Sequence, residues 1–354
     1  MSPDKVKIKD FKKEIEKILS SFQIGAASFG LDVGTFSVKA AEVKKDWMNK
    51  EKDFSFAVSN LNTADKNNSL VPAIKKCLQE AKITTKRVNL SFSGEQVITR
   101  YILMPKMQEK DLVNSLEFEL AKYIPKKLDD TVVDFQIVDK SVDGQMAVLI
   151  AGAEYKFISE MAALVKEAGL LPQSINVASQ AILSAFYKAN LIVPKDKEAV
   201  AFLDMGHTVS KLSILEGGTL RFYRDVMIGG ADLTRAISER LNIGMEEAEK
   251  IKCSPEQKPA ELDSLATAHL NNILDEIRIS FDYCVRFIQK NVSSLYLSGG
   301  AAKLKKAEDF LKKSLDIKVS FWDPTAALKL PSLSSRKGLG ENSHLLPAAV
   351  GLAL

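Results

Sequence analysis

Apolar positions along the chain follow two spacings. Phe11, Ile15, Ile18, Leu19 and Phe22 recur at three- and four-residue intervals, so residues 1–22 read as an amphipathic helix. Lys5, Lys7, Lys9, Lys12, Lys13 and Lys17 cover much of the rest of it. Such a helix packs on the body, binds a partner or lies on a membrane surface. Asp4, Asp10, Glu14 and Glu16 weaken the membrane reading. From about Gln23 the pattern changes. Ala27 to Val43 reads as two strands around a glycine turn, and Leu70 to Ala81 has helical spacing. Arg87 to Phe92 and Gln96 to Leu103 are expected strands, separated by Ser93-Gly94. After Pro105, Glu109 to Tyr123 predicts a helix with Leu112, Leu116, Leu120 and Tyr123 on one face. Strands follow at Val132 to Asp139 and Met146 to Ala153, then helices at Tyr155 to Ala168 and Ser179 to Ala189. Val200 to Leu203, Val209 to Leu215 and Leu220 to Val226 predict a three-strand meander with a Gly217-Gly218 turn. Leu233 to Phe287 reads as almost wholly helical. A strand at Ser294 to Leu297 leads through Ser298-Gly299-Gly300 to an expected helix at Leu304 to Leu315.

One segment is repeated. Leu31-Asp32-Val33-Gly34 recurs as Leu203-Asp204-Met205-Gly206, 172 positions later, and Lys39 falls in line with Lys211 at the same offset. Each copy opens a hairpin followed by further strands and then helices. The repeat predicts two α/β lobes of related design, each a sheet backed by helices.

A strand ending in Asp-x-Gly that turns and returns suits phosphate. Glycine lets the backbone come close to the ligand, and the turn's N–H groups point at its oxygens. Thr35, Phe36 and Ser37 in the first copy, and His207 and Thr208 in the second, fall in or beside the turns. Thr35, Ser37, Thr208 and Ser210 add hydroxyl donors, and Lys39 adds a cation. Asp32 and Asp204 are the candidate holders of a hydrated Mg²⁺. One such turn alone reads better as a plain hairpin; its recurrence favours a pair of loops gripping a polyphosphate from both sides. Gly299, Gly300 and Ala301, between a strand and a helix, leave room for a flat adenine or ribose. Gly229-Gly230 serves either the nucleotide or the cap of the helix after it. There is no GxxxxGK[ST] and no GxGxxG after a strand, so neither a P-loop nor a dinucleotide fingerprint is present.

Composition narrows the class. With 354 residues, 46% hydrophobic and 27% charged, the chain fits two or more core-forming units. The 49 basic and 45 acidic residues nearly balance, which argues against a nucleic-acid partner. Cys77, Cys253 and Cys284 are scattered without metal or disulfide spacing, as are the three histidines. No apolar run approaches the roughly 18 residues of a membrane span. The expectation is a soluble, cytoplasmic chain in a reducing compartment.

The ordered motifs resemble the actin, sugar-kinase and heat-shock ATPase superfamily over about residues 24 to 354. Leu31 to Thr35 resembles its first phosphate loop, Leu203 to Thr208 the second, and Leu297 to Gly300 the adenosine loop. Ala178 to Ala185 and Ala348 to Leu352 resemble its two connecting helices. The resemblance implies a two-lobed actin-like ATPase fold of α/β class, with a small inserted α+β subdomain, that binds ATP and Mg²⁺. Residues 23–104, 166–199 and 326–354 would form the first lobe, 105–165 the insert, 200–235 and 291–325 the second lobe, and 236–290 its helical subdomain.

Within that superfamily the chain resembles the PilM family of type IV pilus assembly proteins, in its FtsA-like branch. The residues that carry this are Met104-Pro105-Lys106-Met107, Leu116-Glu117-Phe118-Glu119, Tyr123-Ile124-Pro125, Leu128-Asp129, Val133-Asp134-Phe135-Gln136, Ile228 to Thr234 and Glu246 to Glu249. The resemblance implies a partner, the short cytoplasmic N-terminal segment of the inner-membrane protein PilN, bound near the insert. It places the chain in the pilus inner-membrane assembly complex, on the inner face of that membrane, and leaves open a ring or filament of its own copies. Gln180 stands where many relatives carry an acid on the first connecting helix, and His207 is also unusual. The glutamine predicts slow ATP hydrolysis or none. Alternatives are a true ATPase or kinase, a type II secretion protein, and an FtsA-like division protein. The last usually ends in an amphipathic membrane helix, which the closing Pro347 to Leu354 does not resemble.

Overall fold

The computed structural model describes residues 27–46, 50–61, 66–94, 96–108, 111, 112, 115, 116, 130–142, 144–188, 199–253, 260–304, 306–326, 328 and 338–354. The expected helix at residues 1–22 lies outside them, as does most of Glu109 to Tyr123, of which residues 111, 112, 115 and 116 are helical. The chain divides into two units. One takes Met1–Ala189, Thr325–Gly340 and Leu346–Leu354, the other Asn190–Pro324 and Glu341–Leu345.

In the first unit, β1 (Phe29–Val33), β2 (Ser37–Lys45), β3 (Glu51–Asn60), β4 (Arg87–Phe92) and β8 (Leu171–Val177) form a sheet in the order β3-β2-β1-β4-β8. All five residues of β1 are buried, as expected of a central strand covered on both faces. Helix α1 (Lys66–Ala81) lays Leu70, Ile74, Cys77 and Ala81 against Leu31, Val38 and Leu90. Its four- and three-residue intervals give that one-sided burial, and Pro72 sits on the exposed side. Met161 and Val165 of α2 (Tyr155–Glu167) join the same core.

A second sheet in this unit has the order β5-β7-β6, from β5 (Val97–Pro105), β6 (Thr131–Val142) and β7 (Gln145–Glu154). Its own core gathers Ile102, Met104, Leu112, Leu116, Met146, Val148 and Ile150. Two helices, α3 (Ala178–Lys188) and α8 (Pro347–Ala353), cross in backbone contact. A Cβ on Gly351 would lie 1.8 Å from the carbonyl oxygen of Ala181, and one on Gly30 of β1 would lie 2.1 Å from that of Ala349. Only glycine allows either approach.

The second unit repeats the first sheet strand for strand. Its order is β11-β10-β9-β12-β13, from β9 (Ala199–Met205), β10 (Ser210–Glu216), β11 (Thr219–Val226), β12 (Val292–Ser298) and β13 (Lys318–Phe321). In both sheets the central strand is antiparallel to the strand after it in the chain and parallel to its other neighbour. Helices α4 (Gly230–Leu241), α5 (Met245–Cys253) and α6 (Ala260–Tyr283) separate β11 from β12.

The structure departs from expectation in several elements. Leu233 to Phe287 is broken at Asn242, which is left-handed at φ 52°, and ends in a π turn at Cys284–Ile288. The helix expected from Leu304 starts at Ala307 as α7 (Ala307–Leu315), after a 3₁₀ turn over Gly300–Lys303 and a left-handed Lys306. Strands β3, β8 and β13 carry no clean apolar alternation. β3 opens on Glu51-Lys52-Asp53, β8 contains Pro172 at the sheet's edge, and β13 has only four residues.

Candidate functional site

β1 ends at Val33, the chain turns through Gly34, Thr35 and Phe36, and β2 begins at Ser37. The turn is closed by Gly34 N–H donating to the Ser37 carbonyl at 3.1 Å and anchored by Leu61 N–H donating to the Phe36 carbonyl at 2.8 Å. The register places Asp32 opposite Lys39 on one side and Ser91 of β4 on the other. Lys39 Nζ meets Asp32 Oδ2 at 3.1 Å, and Ser91 Oγ donates to Asp32 Oδ1 at 2.8 Å. One carboxylate therefore ties three strands together directly behind the turn. Lys39 Nζ lies 2.7 Å from where a Gly34 Cβ would stand, so the ammonium occupies the space that glycine opens.

The second unit builds the same arrangement. Asp204 faces Lys211 of β10 and Ser298 of β12 in matching register. Ser298 Oγ donates to Asp204 Oδ1 at 2.9 Å, while Lys211 Nζ stands off from Asp204 Oδ2 at 3.8 Å. Gly206, His207 and Thr208 make the turn. Behind it, Gly230 N–H donates to the Gly206 carbonyl at 3.0 Å and Ala231 N–H to the His207 carbonyl at 2.7 Å. A Cβ on Gly229 would fall 2.4 Å from the His207 oxygen, so this glycine pair supports the turn. It also caps α4, with Gly229 N–H donating to Asp232 Oδ2 at 2.9 Å. Of the two roles left open by sequence, the structure shows the helix cap, and beside it the packing of this pair against the Gly206–Thr208 turn. Gly299 is left-handed at φ 85° and presses on Met205, whose oxygen would lie 2.3 Å from an added Cβ. Its N–H donates to the His344 carbonyl at 2.7 Å. Ala301 Cβ approaches the position of a Gly230 Cβ to 3.3 Å. Gly206, Gly229, Gly230, Gly299 and Ala301 are therefore gathered around one corner of the second unit.

Ser91 was not legible as a site residue, and Ser298 was legible only through the adenosine-loop resemblance, not as a partner of Asp204. The hairpins repeat at an offset of 172, but these serines are 207 apart because α4, α5 and α6 lengthen the second unit. A second missed group is Thr234, Glu249 and Lys252. Lys252 Nζ donates to the Gly230 carbonyl at 3.0 Å, to Thr234 Oγ1 at 2.8 Å and to Glu249 Oε2 at 2.7 Å. Burial pushes the Glu249 carboxyl up, but the hydrogen bonds from Lys252 and Thr234 prevail and leave it below the usual carboxylate range. Glu249 and Lys252, three residues apart on α5, were the available signal.

A Mg²⁺ site was expected at Asp32 and Asp204. Among the described residues no group of three metal-ligating side chains gathers. Both Asp32 oxygens are engaged, and the residue is only 5% exposed. Asp204 keeps the looser lysine and the more open side chain. The donor set fits a cation that retains most of its water, held from Asp204.

The sequence model of the type IV pilus assembly protein PilM matches residues 30–354. The chain belongs to the PilM family. A solved structure titled as a PilM-PilN type IV pilus biogenesis complex is 25% identical, with a TM-score of 0.80, over 93% of this chain and 98% of that one. The ethanolamine utilization protein EutJ from Carboxydothermus hydrogenoformans is 13% identical at TM-score 0.53, over 96% of this chain and 93% of that one. A diol dehydratase-reactivating factor in nucleotide-free form is 8% identical at TM-score 0.54, over 92% and 98%. The last two share only the fold. That fold is the actin-like ATPase fold. In this PilM-family chain no described helix is long and apolar enough to cross a membrane.

Proposed function

We propose that this PilM-family chain binds MgATP through its two Asp-x-Gly hairpins and, when loaded, holds the N-terminal cytoplasmic segment of a PilN-like inner-membrane protein. This would place it at the cytoplasmic face of the inner membrane, attached through that partner. The carrying observation is the duplicated Asp–Lys–Ser arrangement, Asp32 with Lys39 and Ser91, Asp204 with Lys211 and Ser298. Two unrelated turns have no reason to share strand order, register and hydrogen-bond partners. Backbone N–H groups of the two turns would take phosphate oxygens, and Lys39 would add a cation to the first. Gly299, Gly300 and Ala301, with Lys252 and Glu249 beside Gly230, would take the nucleoside. Magnesium, when bound, neutralises phosphate charge; Asp204 would orient its water shell.

Gln180 supports a holder of nucleotide rather than a turnover enzyme. Its Nε2 donates to Gln136 Oε1 of β6 at 2.7 Å, so an amide pair stands where a carboxylate would order the attacking water. The five-part division into 1–22, first lobe, insert, second lobe and helical subdomain belongs to the same proposal. The test is thermal unfolding with and without MgATP, followed by titration with a synthetic PilN N-terminal peptide. At about 100 times the dissociation constant, ATP adds roughly 2.7 kcal/mol. A melting temperature unmoved by every adenine nucleotide would sink the ATP reading. A peptide that binds with no dependence on nucleotide would sink the coupling.

A further inference from the structure

Strands β1, β4 and β8 run parallel and end level with one another: Val33 pairs with Phe92, and Phe92 with Val177. In open α/β sheets, ligands sit beyond such carboxyl ends. Helix α3 starts at that level, because Ala178 follows Val177 directly. The Gly34 turn leaves β1 at the same level, two strands away, which is roughly 10 Å. The row behind is polar. By register Asn176 lies beside Ser91, Ser91 beside Asp32, and Asp32 beside Lys39. Asn176 Nδ2 donates to Ser174 Oγ at 3.0 Å and carries a second N–H.

The start of α3 is rich in donors. The first-turn N–H groups of an α-helix have no acceptor within the helix. Val177, just before this one, has no side-chain oxygen to cap them. Ser179 is the second residue of the helix. It is 3% exposed, and its hydroxyl has no hydrogen-bond partner among the described residues. Helical side chains lean toward the N-terminus of their helix, so this hydroxyl is directed to the end where the amides are. A buried hydroxyl without a partner costs stability. An acceptor that arrives with a ligand removes that cost.

We propose that Ser179 and the first-turn amides of α3 take the terminal phosphate of a nucleoside triphosphate, so that the chain prefers tri- to diphosphate. The inference rests on the MgATP reading and adds to it the residue that reads the last phosphate. The ligand chemistry follows from the donors. A hydroxyl and a set of amides together need oxygens that carry no protons, and a helix N-terminus favours negative charge. Gln180, next in the helix, is neutral and engaged with Gln136, so it sets no carboxylate against that charge. The separation of α3 from the Gly34 turn suits a polyphosphate whose inner oxygens lie at the turn and whose last group reaches the helix.

The test is calorimetric titration of the full chain with MgATP and with MgADP, wild type against Ser179→Ala. The wild type is expected to bind ATP roughly tenfold or more tightly than ADP, the worth of a hydrogen bond to a charged group. Ser179→Ala should lose that factor for ATP and leave ADP affinity unchanged. Without nucleotide the variant should melt at or above the wild-type temperature, since it sheds a hydroxyl that has no partner. In the wild type, hydrogen exchange at the first-turn amides of α3 should slow with ATP and not with ADP. If no adenine nucleotide binds, the MgATP reading and this inference fall together. If both nucleotides bind and Ser179→Ala weakens them equally, or weakens neither, this inference alone is overturned. Equal slowing of exchange by ADP overturns it too, as does a nucleotide-free variant that melts well below wild type, which makes the hydroxyl a packing group.

Discussion

Lys39→Met is the sharpest probe of the first hairpin. Asp32 is 5% exposed, and its carboxylate has two protein partners, Lys39 at 3.1 Å and Ser91 at 2.8 Å. Methionine keeps the length of the lysine stem and removes the charge. A buried carboxylate is then left with one neutral donor, a loss of about 2–4 kcal/mol. The equivalent change in the second unit, Lys211→Met, removes an ammonium 3.8 Å from an Asp204 side chain that is 18% exposed. Water reaches Asp204 more readily and the lost contact is weaker, so about 1 kcal/mol is expected. The two units need not unfold together, and a single melting curve would blur the comparison. Hydrogen exchange read by mass spectrometry separates them. Peptides from β1 and β4 should exchange roughly 30- to 1000-fold faster in Lys39→Met, and those from β9 and β12 about fivefold faster in Lys211→Met. Adding Asp32→Asn to Lys39→Met removes the orphaned charge and should restore part of the protection. Equal effects of Lys39→Met and Lys211→Met would refute the assignment of Asp32 as the tightly held carboxylate.

Further outcomes follow from the second unit. Gly229→Ala places a methyl 2.4 Å from the backbone oxygen of His207, so the turn must shift; thermal stabilisation by MgATP should vanish while the apo chain stays folded. Asp204→Asn should remove the magnesium dependence of ATP binding more fully than Asp32→Asn, measured as affinity with and without the cation. His344 is buried, and burial, aided by Lys303, pushes its imidazole down to about 4 from the usual 6.5. The unfolded chain therefore binds the extra proton first, and stability present above pH 6.5 is lost as pH falls toward 4, by about 3 kcal/mol for this group. His344→Gln should flatten that acid limb in denaturant titrations.

The hairpins were legible because their determinants are local. An Asp, a Gly two residues later and a Lys seven residues after the Asp lie within one turn and two strands, and the structure joins them without help from afar. The partners supplied by parallel strands were not. Ser91 reaches Asp32 across 59 positions and Ser298 reaches Asp204 across 94. Nothing in the spacing of either serine announces its register. The same reasoning covers β8, whose polar Gln173-Ser174-Ile175-Asn176 run pairs with β4 only because α2 returns the chain to that edge. Segments whose burial is set by their own sequence period were read correctly. Strands β3, β8 and β13, which carry no such period, were not.

The duplication sets one motif in two different surroundings. The strand order and the Asp–Lys–Ser register are common to both units. The surroundings are not. In the first unit the carboxylate is saturated at short distance, and the freed space under Gly34 is filled by Lys39. In the second the lysine is held off, the acid is more open, and glycine backbones from two further loops crowd the turn. A carboxylate committed to its own ammonium organises a loop; one left partly free can meet a hydrated cation. The physical difference is under an ångström in one ion pair, and it leaves the second carboxylate the more open of the two.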